Sequence, residues 1–239
     1  MKTRQSVHIP WGFSLVELAI VLFVMGLLLQ VSIEPLGMRL EHNRRVQAAK
    51  QLDEVRMHLR AHWVSYGHLP CPIVAGVDSE EDCHTSAGGV PAATLSIVGS
   101  VNRAGELLDP WGRALGYSVS STDVDANDPE TEFANSPDWL TAGEIARVPF
   151  TELTADLTVC LAASSIQCEV STDSAADLVA VVVSGGSAIS QREQDNRDFD
   201  TSYISAPYSK AQPNEFDDQL IWLGRSELIY LALQSGWLL

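Results

Sequence analysis

The chain has 239 residues, 46% of them apolar, and a formal net charge of −16 at pH 7. This length allows one soluble domain with a buried core and one additional element. The charge is uneven, because residues 67–239 hold seven basic and 26 acidic side chains, about −19 in all. A surface this acidic repels the phosphate backbone of nucleic acids, so no nucleic-acid partner is expected and cations or basic proteins are favoured.

The N-terminus combines a short basic leader with a long apolar stretch. Residues 1–12, MKTRQSVHIPWG, carry two positive charges, and the apolar residues that follow from Phe13 to Ile33 include one charge, Glu17. This stretch is long enough to cross a bilayer as a helix, which predicts a transmembrane segment over 13–35. A secretory signal peptide would end in a small-residue cleavage site, and LLLQVSIEP has none. A carboxylate in hydrocarbon costs about 2.5 kcal/mol or more without a partner, so Glu17 suggests a function.

The heptapeptide GFSLVEL, from Gly12 to Leu18, resembles the GFTLxEL signature of prepilins and pseudopilins. The resemblance implies that a prepilin peptidase cleaves after Gly12 on the cytoplasmic face and that the new Phe13 amine is methylated. It also implies that Glu17 neutralises the Phe13 ammonium of a neighbouring subunit, because neither charge is readily buried alone. The leader must be removed to create that ammonium.

This resemblance implies a function, a location and a set of partners. The chain would be a minor pilin or pseudopilin of a type IV pilus or a type II secretion filament, not an enzyme. It would cross the inner membrane once, with a cytoplasmic N-terminus and a periplasmic head, before entering the filament. Its partners would be other pilin or pseudopilin subunits, the prepilin peptidase and the inner-membrane assembly platform. Two alternatives remain: an adhesin or substrate-binding head displayed by the filament, and an unrelated membrane-anchored periplasmic protein.

The apolar stretch continues into a second helical segment over 36–66. Pro35 is expected to kink or locally melt the helix. Beyond it, apolar residues recur mostly at three- or four-residue spacings and form one face of an amphipathic helix: Leu40, Val46, Ala49, Leu52, Val55, Leu59, Trp63 and Tyr66. Gly67 and Leu69-Pro70 predict its end.

Residues 67–239 are expected to form a head built on an antiparallel sheet. The candidate strands are Ala114–Ser121, Ala155–Ala163, Ile166–Ser171, Leu178–Ser184 and Gln219–Leu223. Ser226-Glu227 starts a closing helix that ends before Gly236. The predicted fold class is therefore α+β and pilin-like, with a long N-terminal helix packed on this sheet. The stretches LPCP, from Leu69, and DPWGR, from Asp109, followed by Tyr117, are similar to patterns in minor-pilin-like proteins. The simplest interpretation of DPWG is a turn with a buried tryptophan that enters a strand.

The four cysteines all lie in the predicted head. Their even number in an exported segment favours disulfides, for which three connectivities exist. The close spacings favour Cys71 with Cys83 and Cys160 with Cys168, because short loops are cheap to close. A zinc site is the alternative, but the chain contains no CxxC pair.

An acidic segment near the C-terminus is the candidate metal site. The order of VSGG from Val183, an acidic loop, and FDDQ before Trp222 resembles the segment that pseudopilins fold around calcium. Calcium prefers several hard oxygen ligands on one loop. The candidate ligands for Ca²⁺ are Asp195, Asp198, Asp200, Asp217 and Asp218. The alternative is a solvated acidic loop.

Overall fold

The computed structural model describes residues 14–74, 81–122, 133–134, 154–161, 168, 174–187, 190–198, 200–212 and 214–236, without the side chains of 29–36 and 191–192. The chain divides into two compact units, one ending at Asn43 and the other running from Arg44 to Leu239. The predicted leader, residues 1–12, lies outside the described residues.

The first helix, α1, has 52 residues and extends from Leu15 to Tyr66. The helical backbone continues through Pro35, where the sequence predicts a kink or local melting. The helix ends at the predicted place, because Gly67 has a φ of +79° and its N–H donates to the carbonyl of Trp63 at 2.8 Å. Glycine adopts this left-handed conformation without a Cβ penalty.

The predicted membrane crossing is not supported. Among the residues that the structure describes, no helix is both long and apolar enough to span a bilayer. The prediction of a single-pass inner-membrane protein with a periplasmic head is therefore wrong, and so is the transmembrane half of the predicted fold.

The part of α1 in the second unit buries one face. Five residues at three- or four-residue spacings are at most 2% exposed: Ala48, Leu52, Val55, Leu59 and Trp63. They share a face because a helical turn takes 3.6 residues. The predicted stripe is only partly correct, since Leu40, Val46, Ala49 and Tyr66 are exposed and Ala48 is buried instead.

The second unit contains a six-stranded sheet and two further helices. The strands are β1 (Ala87–Gly89), β2 (Gly116–Val119), β3 (Leu157–Cys160), β4 (Ser174–Ser184), β5 (Ser202–Ile204) and β6 (Gln219–Gly224). The helices are α2 (Gln191–Gln194), between β4 and β5, and α3 (Arg225–Ser235), after β6. Four of the five predicted strands overlap β2, β3, β4 and β6. The fifth, Ile166–Ser171, lies outside the described residues apart from Cys168.

The sheet is mixed, not antiparallel as predicted. The long strand β4 pairs antiparallel with β2, β3 and β6, and β1 extends the sheet beyond β2. β5 pairs with β3 in parallel, with Thr158 opposite Ser202. The segment 185–201 carries the chain to the far edge of β3, so that β5 runs in the same direction. The predicted fold class is therefore wrong in its sheet type as well as in its membrane-spanning half.

The core of the second unit lies on both faces of β4. Val179, Ala180 and Val182 belong to the larger cluster, which includes the buried stripe of α1 and part of α3. Val181 and Val183 belong to a smaller cluster with β3 and Tyr203. From Ala180 to Val183 successive side chains alternate between the two clusters, as they do along a strand. Val179 lies at a register shift between Leu178 and Ala180 and joins Ala180 in the larger cluster.

Helix α3 closes the larger cluster, as predicted. Leu228 and Ala232 are buried, and the Trp63 indole N–H donates to the carbonyl of Leu228 at 2.9 Å. Glu227 pairs with Arg56 at 3.0 Å and with Arg60 at 3.3 Å. The C-cap Gly236 has a φ of +81°, the left-handed conformation that glycine allows at a helix end.

Both predicted disulfides are confirmed. Cys71 bonds to Cys83, and Cys160 bonds to Cys168. The bridges close loops with sequence separations of 12 and 8 residues. No described cysteine is free. The zinc alternative for these cysteines is therefore excluded.

Candidate functional site

Of the predicted processing and assembly residues, the structure describes one. Gly12 and Phe13 lie outside the described residues. Glu17 lies in the first turn of α1 and is exposed. The helix is already formed around it, since the Leu18 N–H donates to the Ser14 carbonyl at 3.1 Å.

Glu17 belongs to an apolar segment, Leu15–Leu28, whose large side chains are exposed on every face of the helix. Leu15 is 84% exposed, Phe23 68% and Leu28 63%. A helix with one solvated face has polar residues on that face and apolar residues on the opposite face. A helix that is apolar on all faces is normally buried. The exposed apolar segment is therefore a surface that needs a partner.

The predicted metal ligands divide into two groups. Asp217 and Asp218 lie together with Glu193, each offering a carboxylate oxygen within 4.8 Å of the others, and all three residues are buried. Asp195, Asp198 and Asp200 are not members of this acidic cluster. The structure therefore brings two of the five predicted ligands together with Glu193, which was not among them.

The acidic cluster is built by short-range hydrogen bonds around α2. The Glu193 side chain accepts from the Ser190 N–H at 2.6 Å, and Ser190 caps the helix in return, which is a capping box. The other Glu193 oxygen accepts from the Asp217 N–H at 2.6 Å. Asp217 Oδ2 accepts from the N–H and hydroxyl of Ser187, both at 2.8 Å. Glu193 thereby connects α2 to the strand entry at β6.

The side chain of Asp218 is 0% exposed. Burial raises the pKa of Asp218 to about 7, and the hydrogen bond from Asn196 lowers it in part. The charge of Glu193 raises this pKa further. The Arg197 charge has a smaller lowering effect, and the Asp217 charge a smaller raising effect. Asp218 Oδ2 accepts from Asn196 at 2.9 Å, and Oδ1 has no hydrogen-bond donor and lies 3.6 Å from Arg197 Nη2.

Asp195, Asp198 and Asp200 form a separate group in the turn after α2. Burial raises the pKa of Asp195 to about 6, and the neighbouring charges of Asp200 and Asp198 add to the shift. Asp198 and Asp200 are exposed and accept from backbone N–H groups two residues further on, at 3.3 Å and 2.7 Å. These bonds are local turn contacts.

Sequence reasoning missed Glu193, although a signal for it exists. Ser190 followed three residues later by Glu193 is the capping-box pattern of a helix start. The pattern lies in a segment that is acidic overall and was interpreted as a loop. Recognising the single turn α2 would have placed Glu193 on a fixed backbone.

The DPWGR stretch forms a turn that supports the neighbouring loop. Asp109 Oδ1 accepts from the N–H groups of Trp111 and Arg113, both at 2.9 Å, and Oδ2 accepts from the Ser184 hydroxyl at 3.0 Å. The turn prediction is confirmed, but Trp111 is only partly buried. The LPCP and DPWGR stretches meet through Tyr117, whose hydroxyl donates to the Pro70 carbonyl at 3.0 Å.

The described residues therefore offer two features with functional character, an exposed apolar segment and a buried acidic cluster. The first suits association with apolar helices, and the second supplies the hard oxygen atoms that divalent cations prefer. Comparisons with protein families, with curated proteins and with solved structures found no match to this chain.

Proposed function

We propose that this chain is a structural subunit, of the minor pilin or pseudopilin kind, in a type IV pilus-like or type II secretion-like filament. The observation that supports it most is the exposed apolar segment Leu15–Leu28 with the single charge of Glu17. An exposed apolar surface of this extent is typical of a site that associates with another protein. Packed beside equivalent helices of neighbouring subunits, the segment loses its contact with water.

The proposed role of Glu17 follows from the same packing. In a bundle of apolar helices a lone carboxylate is costly, and so is a lone N-terminal ammonium. Cleavage after Gly12 creates an ammonium at Phe13, four residues before Glu17. The ammonium of one subunit and the carboxylate of its neighbour neutralise each other at only one axial offset of the two helices. The ion pair therefore sets the register between neighbouring subunits.

The processing half of the proposal is tested by the N-terminal residue of the protein from its natural host. We expect mass spectrometry to find a chain that begins with N-methylated Phe13. Gly12→Val should leave the leader attached, whereas Gly26→Val, at a glycine with no neighbouring atom within 4 Å of its Cβ position, should be processed normally. A mature N-terminus elsewhere, or normal processing of Gly12→Val, would refute the assigned cleavage site.

The assembly half is tested by Glu17→Val, which removes the charge without adding bulk. We expect normal leader removal but a large loss of co-purification with the other filament subunits. Glu54→Val is the matched control, since Glu54 is an exposed glutamate on the same helix in the second unit. Equal recovery of the Glu17 and Glu54 variants with the filament subunits would contradict the register role.

We propose further that the acidic cluster holds Ca²⁺, with Glu193, Asp217 and Asp218 as ligands. The proposal is supported by three buried carboxylates and by Asp218 Oδ1, which has no hydrogen-bond donor. Asp195, Asp198 and Asp200 are not part of the proposed ligand set. The competing account is a network of carboxylates that only joins backbone segments, as the bonds of Glu193 and Asp217 do.

A thermal unfolding series on the full-length protein separates these accounts. A specific site should add about 2.7 kcal/mol of stability at a hundredfold excess of calcium over Kd. Sodium chloride at matched ionic strength should add little, and magnesium should add less than calcium. Asp217→Asn with Asp218→Asn should abolish the calcium effect, while Asp198→Asn with Asp200→Asn should retain it. Equal responses to calcium and sodium would overturn the proposal.

A further inference from the structure

Two histidines lie side by side where α1 ends. His62 is one turn before the end of the helix and is buried, and His68 follows Gly67 and is partly buried. Their ring centroids are 5.3 Å apart. The Tyr66 ring lies beside both, at 4.5 Å from His62 and 6.3 Å from His68. Neither histidine belongs to the proposed filament contacts or to the proposed calcium ligands.

A hydrogen bond fixes the tautomer of His68. Its Nδ1 lies 2.9 Å from the carbonyl oxygen of Leu69. A carbonyl only accepts, so Nδ1 carries the proton and donates it, and Nε2 of the neutral ring keeps its lone pair. Histidines that bind metal ions usually have this arrangement, in which one ring nitrogen donates to a carbonyl or carboxylate and the other binds the ion.

The His62 ring supplies a second nitrogen without a partner. Its Nε2 is buried and has no hydrogen-bond partner among the described residues. Burial, together with the charge of His68, lowers the pKa of His62 to about 4, so the ring is neutral at pH 7. A neutral imidazole is the form that binds a metal ion. A buried nitrogen without a partner costs free energy, and a bound ion removes that cost.

The spacing of the two rings suits a tetrahedral ion. With a zinc–nitrogen bond of about 2.0–2.1 Å, two imidazoles on one tetrahedral ion have ring centroids roughly 5 Å apart. The centroid distance between His62 and His68 is 5.3 Å. Their ring planes are 80° apart, which such an ion accepts because each imidazole can rotate about its own metal–nitrogen bond. Adjacent positions of a square-planar ion would bring the rings closer together.

The surrounding charge favours a cation. Residues 67–239 hold 26 acidic and seven basic side chains, so this part of the chain attracts positive ions. Glu81 is close enough to His68 for their charges to interact. Burial raises the pKa of Glu81, and the His68 charge is among the effects that lower it. A carboxylate at this distance also stabilises the positive charge of a metal ion.

We propose that the Nε2 atoms of His62 and His68 bind one Zn²⁺ ion. No third histidine, cysteine or carboxylate joins the pair in the part of the chain that the structure describes, so water completes the tetrahedron. A site with two protein ligands is weaker than a closed structural site with four, and it leaves positions open to other ligands. The competing account is an aromatic cluster in which Tyr66, His62 and His68 only pack together.

The test is a calorimetric titration of the full-length protein with zinc chloride near neutral pH. His68→Gln should weaken zinc binding at least about tenfold, since even the loss of a group that only orients a ligand costs that much. His58→Gln is the matched control, because His58 lies one turn before His62 on the same helix, and it should bind as the wild type does. Urea denaturation without zinc checks that both variants fold.

Three results of this titration would overturn the proposal. Equal affinities of the two variants would show that His68 is not a ligand. A loss in His58→Gln alone would assign the ion to the pair of histidines on the helix. Absence of zinc binding by the wild type would leave the three rings as a packing cluster.

Cobalt provides a measurement that needs no variant. Co²⁺ replaces Zn²⁺ in many sites and absorbs visible light strongly when four-coordinate and weakly when six-coordinate. We expect strong absorption by the wild-type protein with Co²⁺, which zinc chloride then removes. Weak absorption would contradict the tetrahedral assignment.

A double variant separates this site from the proposed calcium ligands. Asp217→Asn with Asp218→Asn should bind zinc as the wild type does, because neither residue is near enough to join the histidines as a ligand. Loss of zinc binding in this double variant would assign the ion to the acidic cluster and overturn the histidine site.

Discussion

Helix α1 contains two regions with opposite surfaces. In the second unit, the buried face of the helix runs from Ala48 to Trp63, and its side chains are at most 2% exposed. In the first unit the apolar segment is exposed, with Leu15 84% accessible. The region in the second unit is amphipathic, so only one of its faces is expected to be buried. The segment in the first unit is apolar on all faces, so all of its faces are expected to be buried. The amphipathic region is covered within its own chain, whereas the apolar segment is exposed, and we propose that neighbouring subunits cover it.

The largest effect is expected from a substitution in the buried face of α1. Trp63→Ala leaves a cavity in the larger core cluster and removes the hydrogen bond to the Leu228 carbonyl. We expect a loss of about 3–5 kcal/mol in the free energy of unfolding, measured by urea denaturation. Met57→Ala, at a 63% exposed position of the same helix, should cost less than about 0.5 kcal/mol. Similar losses in both variants would contradict the assignment of the buried face.

The two disulfides lie outside α1 in the second unit, and their contribution to stability needs no other molecule. Cys71→Ser with Cys83→Ser should lower the free energy of unfolding by about 2–4 kcal/mol, because a closed loop restricts the unfolded chain. The double variant and the wild type are compared by urea denaturation without reductant. A change below about 1 kcal/mol would mean that this bridge adds little to the fold.

A smaller effect depends on pH. Burial lowers the pKa of His62 to about 4, and His68 contributes through charge repulsion. Because the folded pKa lies below the unfolded value of about 6.5, the folded state resists protonation, and stability is lost as pH falls from 6.5 toward 4. His62→Gln should reduce this loss by about 1 kcal/mol or more relative to the wild type. Parallel stability curves for the two proteins would show that His62 is not responsible.

The smallest effect is expected in the apolar segment. Leu22 is 61% exposed, so Leu22→Ala should change the unfolding free energy of the isolated protein by less than about 0.5 kcal/mol. The same substitution should reduce association with filament subunits, which co-purification measures. A stability loss close to that of Trp63→Ala would mean that this segment packs within its own chain.

Local patterns predicted the elements that are fixed by nearby residues. Gly67 and Gly236 end their helices as expected, since a glycine at a helix end needs only its immediate neighbours. β5 was not predicted, because three residues in an acidic segment have no strand pattern of their own. It forms through pairing with the distant β3. The mixed sheet is a consequence of that non-local contact.

The candidate sites also combine residues that are close in sequence with residues from distant parts of the chain. Asp217 and Asp218 are adjacent in sequence and were predicted together, but their partner Glu193 comes from helix α2. Arg113 and Arg197 are 84 positions apart, and both donate to the Gly185 carbonyl. Sequence alone indicates which residues have suitable chemistry, and the chain path decides which of them meet.

The central claim is that the apolar segment is covered by other filament subunits. A photoreactive amino acid at Leu22, introduced in the natural host, tests it most directly, with Val98 as the control because that side chain is 95% exposed outside the segment. We expect crosslinks from position 22 to the N-terminal helix of a pilin-like subunit, identified by mass spectrometry, and no such crosslinks from position 98. If neither position reaches a filament subunit while the protein is fully processed, the proposed assembly through this helix is wrong.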